Sequence, residues 1–116
     1  MKDRVAPLLS EIRRFARERR WGRFHTPKNL AMGVVIEAAE LAEIFQWLTP
    51  AQSRRLSGRG KEHLEEELAD VYIYLLKLAD AYGVDLVDAA KRKLVKNAVK
   101  YPVAKSRGLA KKYTEL

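Results

Sequence analysis

Val34-Val35-Ile36-Glu37-Ala38-Ala39-Glu40-Leu41-Ala42-Glu43-Ile44-Phe45-Gln46-Trp47 is apolar on almost every side, as befits a helix at the centre of a domain. Glu37, Glu40 and Glu43 nevertheless recur through it at a stride of three. Stepping about 100° per residue from Val34 gathers Val34, Ala38, Leu41 and Phe45 into one arc. Glu37 falls inside the edge of that arc, between Ile44 and Leu41, and Glu40 lies about 60° further round. A surface helix keeps its carboxylates opposite the apolar stripe. This one turns two of them toward the core, where an unpaired charge costs several kcal/mol.

A second segment carries the matching set. In Leu64-Glu65-Glu66-Glu67-Leu68-Ala69-Asp70-Val71-Tyr72-Ile73-Tyr74-Leu75, the apolar line is Leu64, Leu68, Val71, Leu75 and Leu78. Glu67 and Asp70 sit at nearly the offsets from it that Glu37 and Glu40 have from theirs. Packing the two helices antiparallel brings four carboxylates together, and such a group does not ionise without cations. All-oxygen ligation suits Mg²⁺, with Mn²⁺ next, and not zinc, which takes nitrogen and sulfur. A magnesium site in a helix bundle is therefore expected. Glu43, Glu62, Glu65 and Glu66 point away from the apolar lines and read as solvated faces.

Length and composition narrow the field. The 116 residues, 47% of them hydrophobic, predict a single globular domain. The absence of cysteine removes disulfides and thiolate metal sites. No apolar run reaches a membrane span, and the N-terminal segment reads as a charged helix, so a cytoplasmic protein is expected. The formal charge of +8 suggests a polyanionic partner. Eight of the fifteen acids nonetheless lie between Glu37 and Asp70, with bases crowding both ends. That pattern fits a polyanion held through metals and met by cations from the sides.

Taken in order, helices are predicted over residues 3–20, from Thr26-Pro27 to Trp47 or Leu48, from about Lys61 to Tyr82, and from Asp85 to about Val99. Trp21-Gly22 is expected to stop the first, and Thr26-Pro27 supplies N-cap and first helical position for the second. Thr49-Pro50 repeats that signal for a turn or two. Ser57-Gly58-Arg59-Gly60 reads as a basic loop, and Gly83 closes the third long helix. Residues 105–116 read as a basic tail, loosely attached, with Leu109 and Tyr113 able to dock. Nothing reads as a strand.

These residues carry a family likeness. Glu37-x-x-Glu40 followed by Glu67-x-x-Asp70 resembles the motif of the all-α nucleoside triphosphate pyrophosphatases, the MazG-like superfamily. Trp21-x-x-Phe24-His25-x-Pro27-x-Asn29-Leu30, Glu40-Leu41-Ala42-Glu43-Ile44-Phe45-Gln46-Trp47, Glu66-Glu67-Leu68-x-Asp70-Val71 and Lys112-Tyr113-Thr114-Glu115-Leu116 resemble its dCTP pyrophosphatase branch. The resemblance implies a four-helix-bundle-type fold assembling into a dimer or tetramer, with residues 1–116 as one domain. It implies hydrolysis of a deoxynucleoside triphosphate, dCTP or a modified cytosine nucleotide, to monophosphate and pyrophosphate in a house-cleaning role. Glu37, Glu40, Glu67 and Asp70 would hold Mg²⁺ and form the catalytic centre. Trp21, His25 and Trp47 would line the base and sugar pocket, with Phe24 and Asn29 in the same motif. Tyr74 would lie near the phosphates, and Lys93 and Asn97 match a Lys-x-x-x-Asn pair. The vertebrate members have a histidine nine residues before the first tryptophan, where this chain has Ile12. The rival reading is a non-catalytic basic helical module that binds nucleic acid or a protein partner. It gives no reason to bury carboxylates, so no nucleic-acid partner is expected.

Overall fold

The computed structural model describes residues 3–116, and these form helices and turns without a strand. They fall into two compact units, one ending at Gly83 and the other Val84–Leu116. The first holds α1 (Val5–Glu18), α2 (Pro27–Glu43), the short α3 (Pro50–Ser53) and α4 (Gly58–Ala81).

Helix α1 begins where the Asp3 carboxylate accepts the amide of Val5 at 2.9 Å, serving donors that have no partner inside the helix. Pro7 falls in that first turn, where its missing N–H costs nothing. At the other end the sequence expectation needs correcting. The stop is made by Arg20, with φ +54°, before Gly22 is reached. The Arg20 amide donates to Arg17 O at 3.1 Å and the Trp21 amide to Ala16 O at 3.0 Å. That pair of bonds is a Schellman closure, normally built on glycine.

Thr26 caps α2 as the sequence predicts, its hydroxyl accepting the Asn29 amide at 3.3 Å, with Pro27 at the first position. The helix ends at Glu43, short of the expected Trp47. Beyond it the amides of Phe45 and Leu48 reach carbonyls three residues back, at 3.0 Å each. Thr49 must be extended to cap α3 ahead of Pro50, so the tightened turn is where the helix gives way. The expected loop at Gly58-Arg59-Gly60 is instead the first turn of α4. Gly58 opens the helix at φ +54°, a left-handed step that glycine takes without strain, and Gly60 costs about 1 kcal/mol, less than the packing of the rest of α4 recovers.

Helices α2 and α4 make the main interface and α1 lies against α4. Gly33 faces Tyr74, and Glu37 faces Glu67 and Asp70, so α2 and α4 run antiparallel. Along α2 the inner line is Leu30, Gly33, Val34, Glu37, Leu41 and Ile44. Along α4 it is Leu64, Glu67, Val71, Tyr74 and Leu78. The sequence placed Leu68 and Leu75 on that line, but they turn outward and stand 48% and 38% exposed. Among the described residues, Ile12, Leu30, Leu76 and Ala79 are the buried apolar ones.

In the second unit Asp85 caps α5 (Leu86–Lys100), accepting the Asp88 amide at 3.1 Å. Pro102 ends it, and α6 (Val103–Ser106) and a turn at Tyr113–Glu115 follow. The segment expected to be loose is tied within its own unit. The Tyr113 ring meets Tyr101 edge-to-face at 6.0 Å, and Ser106 Oγ donates to Pro102 O at 2.7 Å. Leu109 remains half exposed.

Candidate active site

Three carboxylates meet where α2 crosses α4. Glu37, Glu67 and Asp70 each offer an oxygen within 4.8 Å of the others. Their positions follow from the stride of the two helices: Glu37 lies one turn beyond Gly33, and the absent side chain there lets the backbone of α2 close on Tyr74. Glu37 Oε2 and Glu67 Oε2 are both buried and accept no hydrogen bond. The other Glu67 oxygen lies 3.2 Å from His63 Nε2.

Burial raises the Glu37 carboxyl to about 7, helped first by neighbouring Glu40 and then by Asp70 and Glu67. Glu67 is raised as well, by burial and then by Glu40, with His63 pulling the other way. Two carboxylates are thus held where ionisation is penalised, each with a free lone pair. A hard divalent cation relieves both penalties, and an all-oxygen donor set is the kind that Mg²⁺ or Mn²⁺ takes. The fourth expected ligand, Glu40, stays exposed and outside the close trio.

Beside the acids lies a cavity of about 460 Å³, walled by Glu37, Asp70, Trp21, His25, Tyr74 and Lys77, with Ile12 and Phe15 from α1. Such a volume suits a nucleotide-sized ligand. The Schellman closure is what puts Trp21 there, because the residue after the left-handed step folds back on the helix. Its ring packs edge-on against Phe15 at 5.8 Å and His25 at 5.9 Å. His25 reaches Tyr74 at 6.5 Å, completing a row of rings from α1 to α4. His25 Nδ1 is buried without a partner. Burial, then the charge of Lys77, holds that imidazole below its usual range.

The remaining sequence candidates are placed differently. Asn29 Nδ2 donates to Phe24 O at 2.9 Å, which fixes the loop carrying His25. The Phe24 ring lies half exposed beneath the Arg23 guanidinium, 4.7 Å from its centroid. Trp47 is 86% exposed on the tightened turn after α2 and does not line the cavity. Lys93 and Asn97 sit one helical turn apart on α5, in the second unit.

Sequence reasoning did not single out Lys77, although a signal was present. Glu67, Asp70, Tyr74 and Lys77 follow one stripe of α4 at steps of three and four. Burial holds the Lys77 amine below its usual range, and it forms no ion pair among the described residues.

Known proteins share this chain's sequence and fold. The MazG-like family model matches residues 33–116, which include the carboxylate helices. Rat dCTP pyrophosphatase 1 is 47% identical over 116 aligned positions, covering 95% of this chain and 68% of that protein. The human protein of the same name is 45% identical over the same shares. A crystal structure of a pyrophosphatase from Archaeoglobus fulgidus superposes with a TM-score of 0.82 at 45% identity, covering 88% of this chain and 95% of its own. Helices, motif and relatives therefore converge on one assignment: the chain belongs to the MazG-like family.

Proposed function

We propose that this chain is a Mg²⁺-dependent nucleoside triphosphate pyrophosphohydrolase that takes dCTP or a modified cytosine nucleotide. The observation that carries the reading is the pair of buried carboxylate oxygens without partners, Glu37 Oε2 and Glu67 Oε2, beside an aromatic cavity. The names of the relatives support the substrate class.

In this reading Glu37, Glu67 and Asp70, with Glu40, hold the metal. When bound, it neutralises the triphosphate and lowers the pKa of a coordinated water. The base stacks on Trp21, where an aromatic face contributes about 1 to 3 kcal/mol. Ile12 and Phe15 exclude water from the base, and His25 donates or accepts at its edge. Tyr74 and Lys77 steady the phosphates, and Lys93 and Asn97, one turn apart on α5, are a charge and a hydrogen-bond donor of the kind a phosphate takes. Phe24 and Asn29 shape the loop that carries His25. Glu40, beside the trio, takes the proton of the attacking water. The bond between the α phosphorus and the bridging oxygen breaks, the monophosphate keeps the new hydroxyl oxygen, and pyrophosphate leaves.

Residues 1–116 work as one catalytic domain, assembled as a dimer or tetramer in the cytoplasm. Apolar side chains exposed on both long helices of the first unit support the assembly. No helix of the described residues is long and apolar enough to cross a membrane.

The test is a nucleotide panel with Mg²⁺, scored for pyrophosphate against orthophosphate. Pyrophosphate release that disappears with EDTA and in Glu37→Gln is expected. Orthophosphate as the first product, or full turnover by Glu37→Gln, would sink the reading.

A further inference from the structure

A second cavity, about 740 Å³, opens between α1, the Gly22–Phe24 turn and α4. Its rim carries Arg13, Arg17, Arg20, Arg23 and Lys77, and its one acid is Asp80. Arg13 takes up that acid: its Nε donates to Asp80 Oδ2 at 2.9 Å and its second nitrogen reaches the other oxygen. Arg17, Arg20 and Lys77 have no ion pair among the described residues. Like charges gathered around one hollow repel each other, and only an anion from outside relieves that.

Arg20 adds an independent observation. It occupies the left-handed step of the Schellman closure, φ +54°, where glycine is the residue without strain. A long cationic side chain is kept there, and it lines the cavity. Strain of this kind persists where a function holds it. Beneath the rim, Leu9, Ile12, Ala16 and Leu30 make an apolar floor. The cavity does not reach the carboxylates, but it shares Ile12, His25 and Lys77 with the one that does.

We propose that this cavity is a second, metal-independent site for a phosphate-bearing anion, held by Arg17 and Arg20, with Lys77 on the wall it shares with the first cavity. Two sources share that chemistry, inorganic pyrophosphate and the phosphate of a nucleotide, and the apolar floor leaves room for a base. Guanidinium forks match phosphate oxygens two at a time, whereas the acidic trio repels anions when no metal is present. Removing the metal therefore separates the two sites, and the proposal stands or falls independently of the catalytic reading.

The experiment is titration calorimetry in EDTA at low salt, with inorganic pyrophosphate and, separately, dCMP as probes. Wild-type protein binds at least one of them. Arg17→Gln with Arg20→Gly weakens that binding at least tenfold while the melting temperature holds or rises, because glycine relaxes the left-handed step. Arg17→Gln alone weakens it severalfold if the double variant does not fold. Lys105→Gln with Lys111→Gln, which removes equal charge from the C-terminal segment, leaves it unchanged. Stronger binding of dCMP assigns the site to a nucleotide, and stronger binding of pyrophosphate to the inorganic anion. The proposal is overturned if wild type binds neither probe in EDTA, if the arginine variants bind as wild type does, or if the lysine pair lowers affinity equally.

Discussion

At the scale of single residues, the chain departs from ordinary packing at Glu37. Its carboxyl is held near 7 by burial and by Glu40, and Glu67 is shifted the same way. A raised carboxyl means that the folded protein binds a proton the unfolded chain has already lost. Stability is then greatest below the unfolded value and falls as pH rises through the folded one. Metal-free protein should accordingly lose melting temperature between about pH 5 and about pH 8, a window set by the ordinary glutamate range and the shifted value. Added Mg²⁺ should reverse the loss most strongly at the alkaline end, since a ligand that binds only the folded state stabilises it. Glu37→Gln should flatten both the pH slope and the Mg²⁺ response in a melting series, and a variant that kept both would place the effect elsewhere. Gly33 is the second residue of this kind. A Cβ there would overlap the Tyr74 ring, so Gly33→Ala should destabilise by about 1 to 3 kcal/mol through overpacking, despite the helix propensity it gains. Denaturant unfolding reads that directly.

At the scale of elements, the sequence was legible where a local signal stood alone. Thr26-Pro27, Thr49-Pro50, Asp85 and Gly83 mark helix boundaries by chemistry that needs no partner, and each is found where it was expected. The stride of Glu37, Glu67 and Asp70 was legible for the same reason, since helical periodicity fixes a face before packing is known. Boundaries set by competition were not legible. The glycines at 58 and 60 read as a loop, but α4 starts there, Gly58 making a left-handed step at its first position and Gly60 lying within its first turn. Arg20 reads as an ordinary basic residue, because the left-handed step it takes depends on where α1 must end for Trp21 to turn back. The rotation of α4 was also hidden. Leu68 and Leu75 are as apolar as Val71, so hydropathy could not say which flank meets α2. The capping reading has its own test. Thr26→Ala removes the oxygen that accepts the Asn29 amide and should cost about 1 kcal/mol in thermal or denaturant unfolding. It should also loosen the loop bearing His25, because Asn29 ties that loop to α2.

At the scale of the molecule, many large apolar side chains of the first unit stand uncovered, while few are buried. Met32, Val35 and Ile36 on α2 stand more than half exposed, and Leu68, Tyr72 and Leu75 on α4 are also exposed. A helix that is apolar on both its faces belongs inside a structure, and the main partner of α2 is α4, against its inner one. Contiguous apolar patches of this kind mark association surfaces. The same rotation that turns Glu67 inward turns Leu68 and Leu75 out, so the acid cluster and the outer surface are consequences of one packing choice. Self-association through this face is the economical way to cover it, and the exposed side chains come from the two helices that hold the carboxylates. Val35→Lys with Ile36→Lys leaves every candidate ligand in place while setting two charges in the patch. Under the proposed assembly, sedimentation velocity should show wild type as an oligomer and the variant as a monomer at micromolar concentration. Far-ultraviolet circular dichroism should retain the helical signal, and the Mg²⁺-dependent rise in melting temperature should shrink as α2 loses its outer support. A variant that sediments as wild type does would leave the exposed face of α2 without a role in assembly.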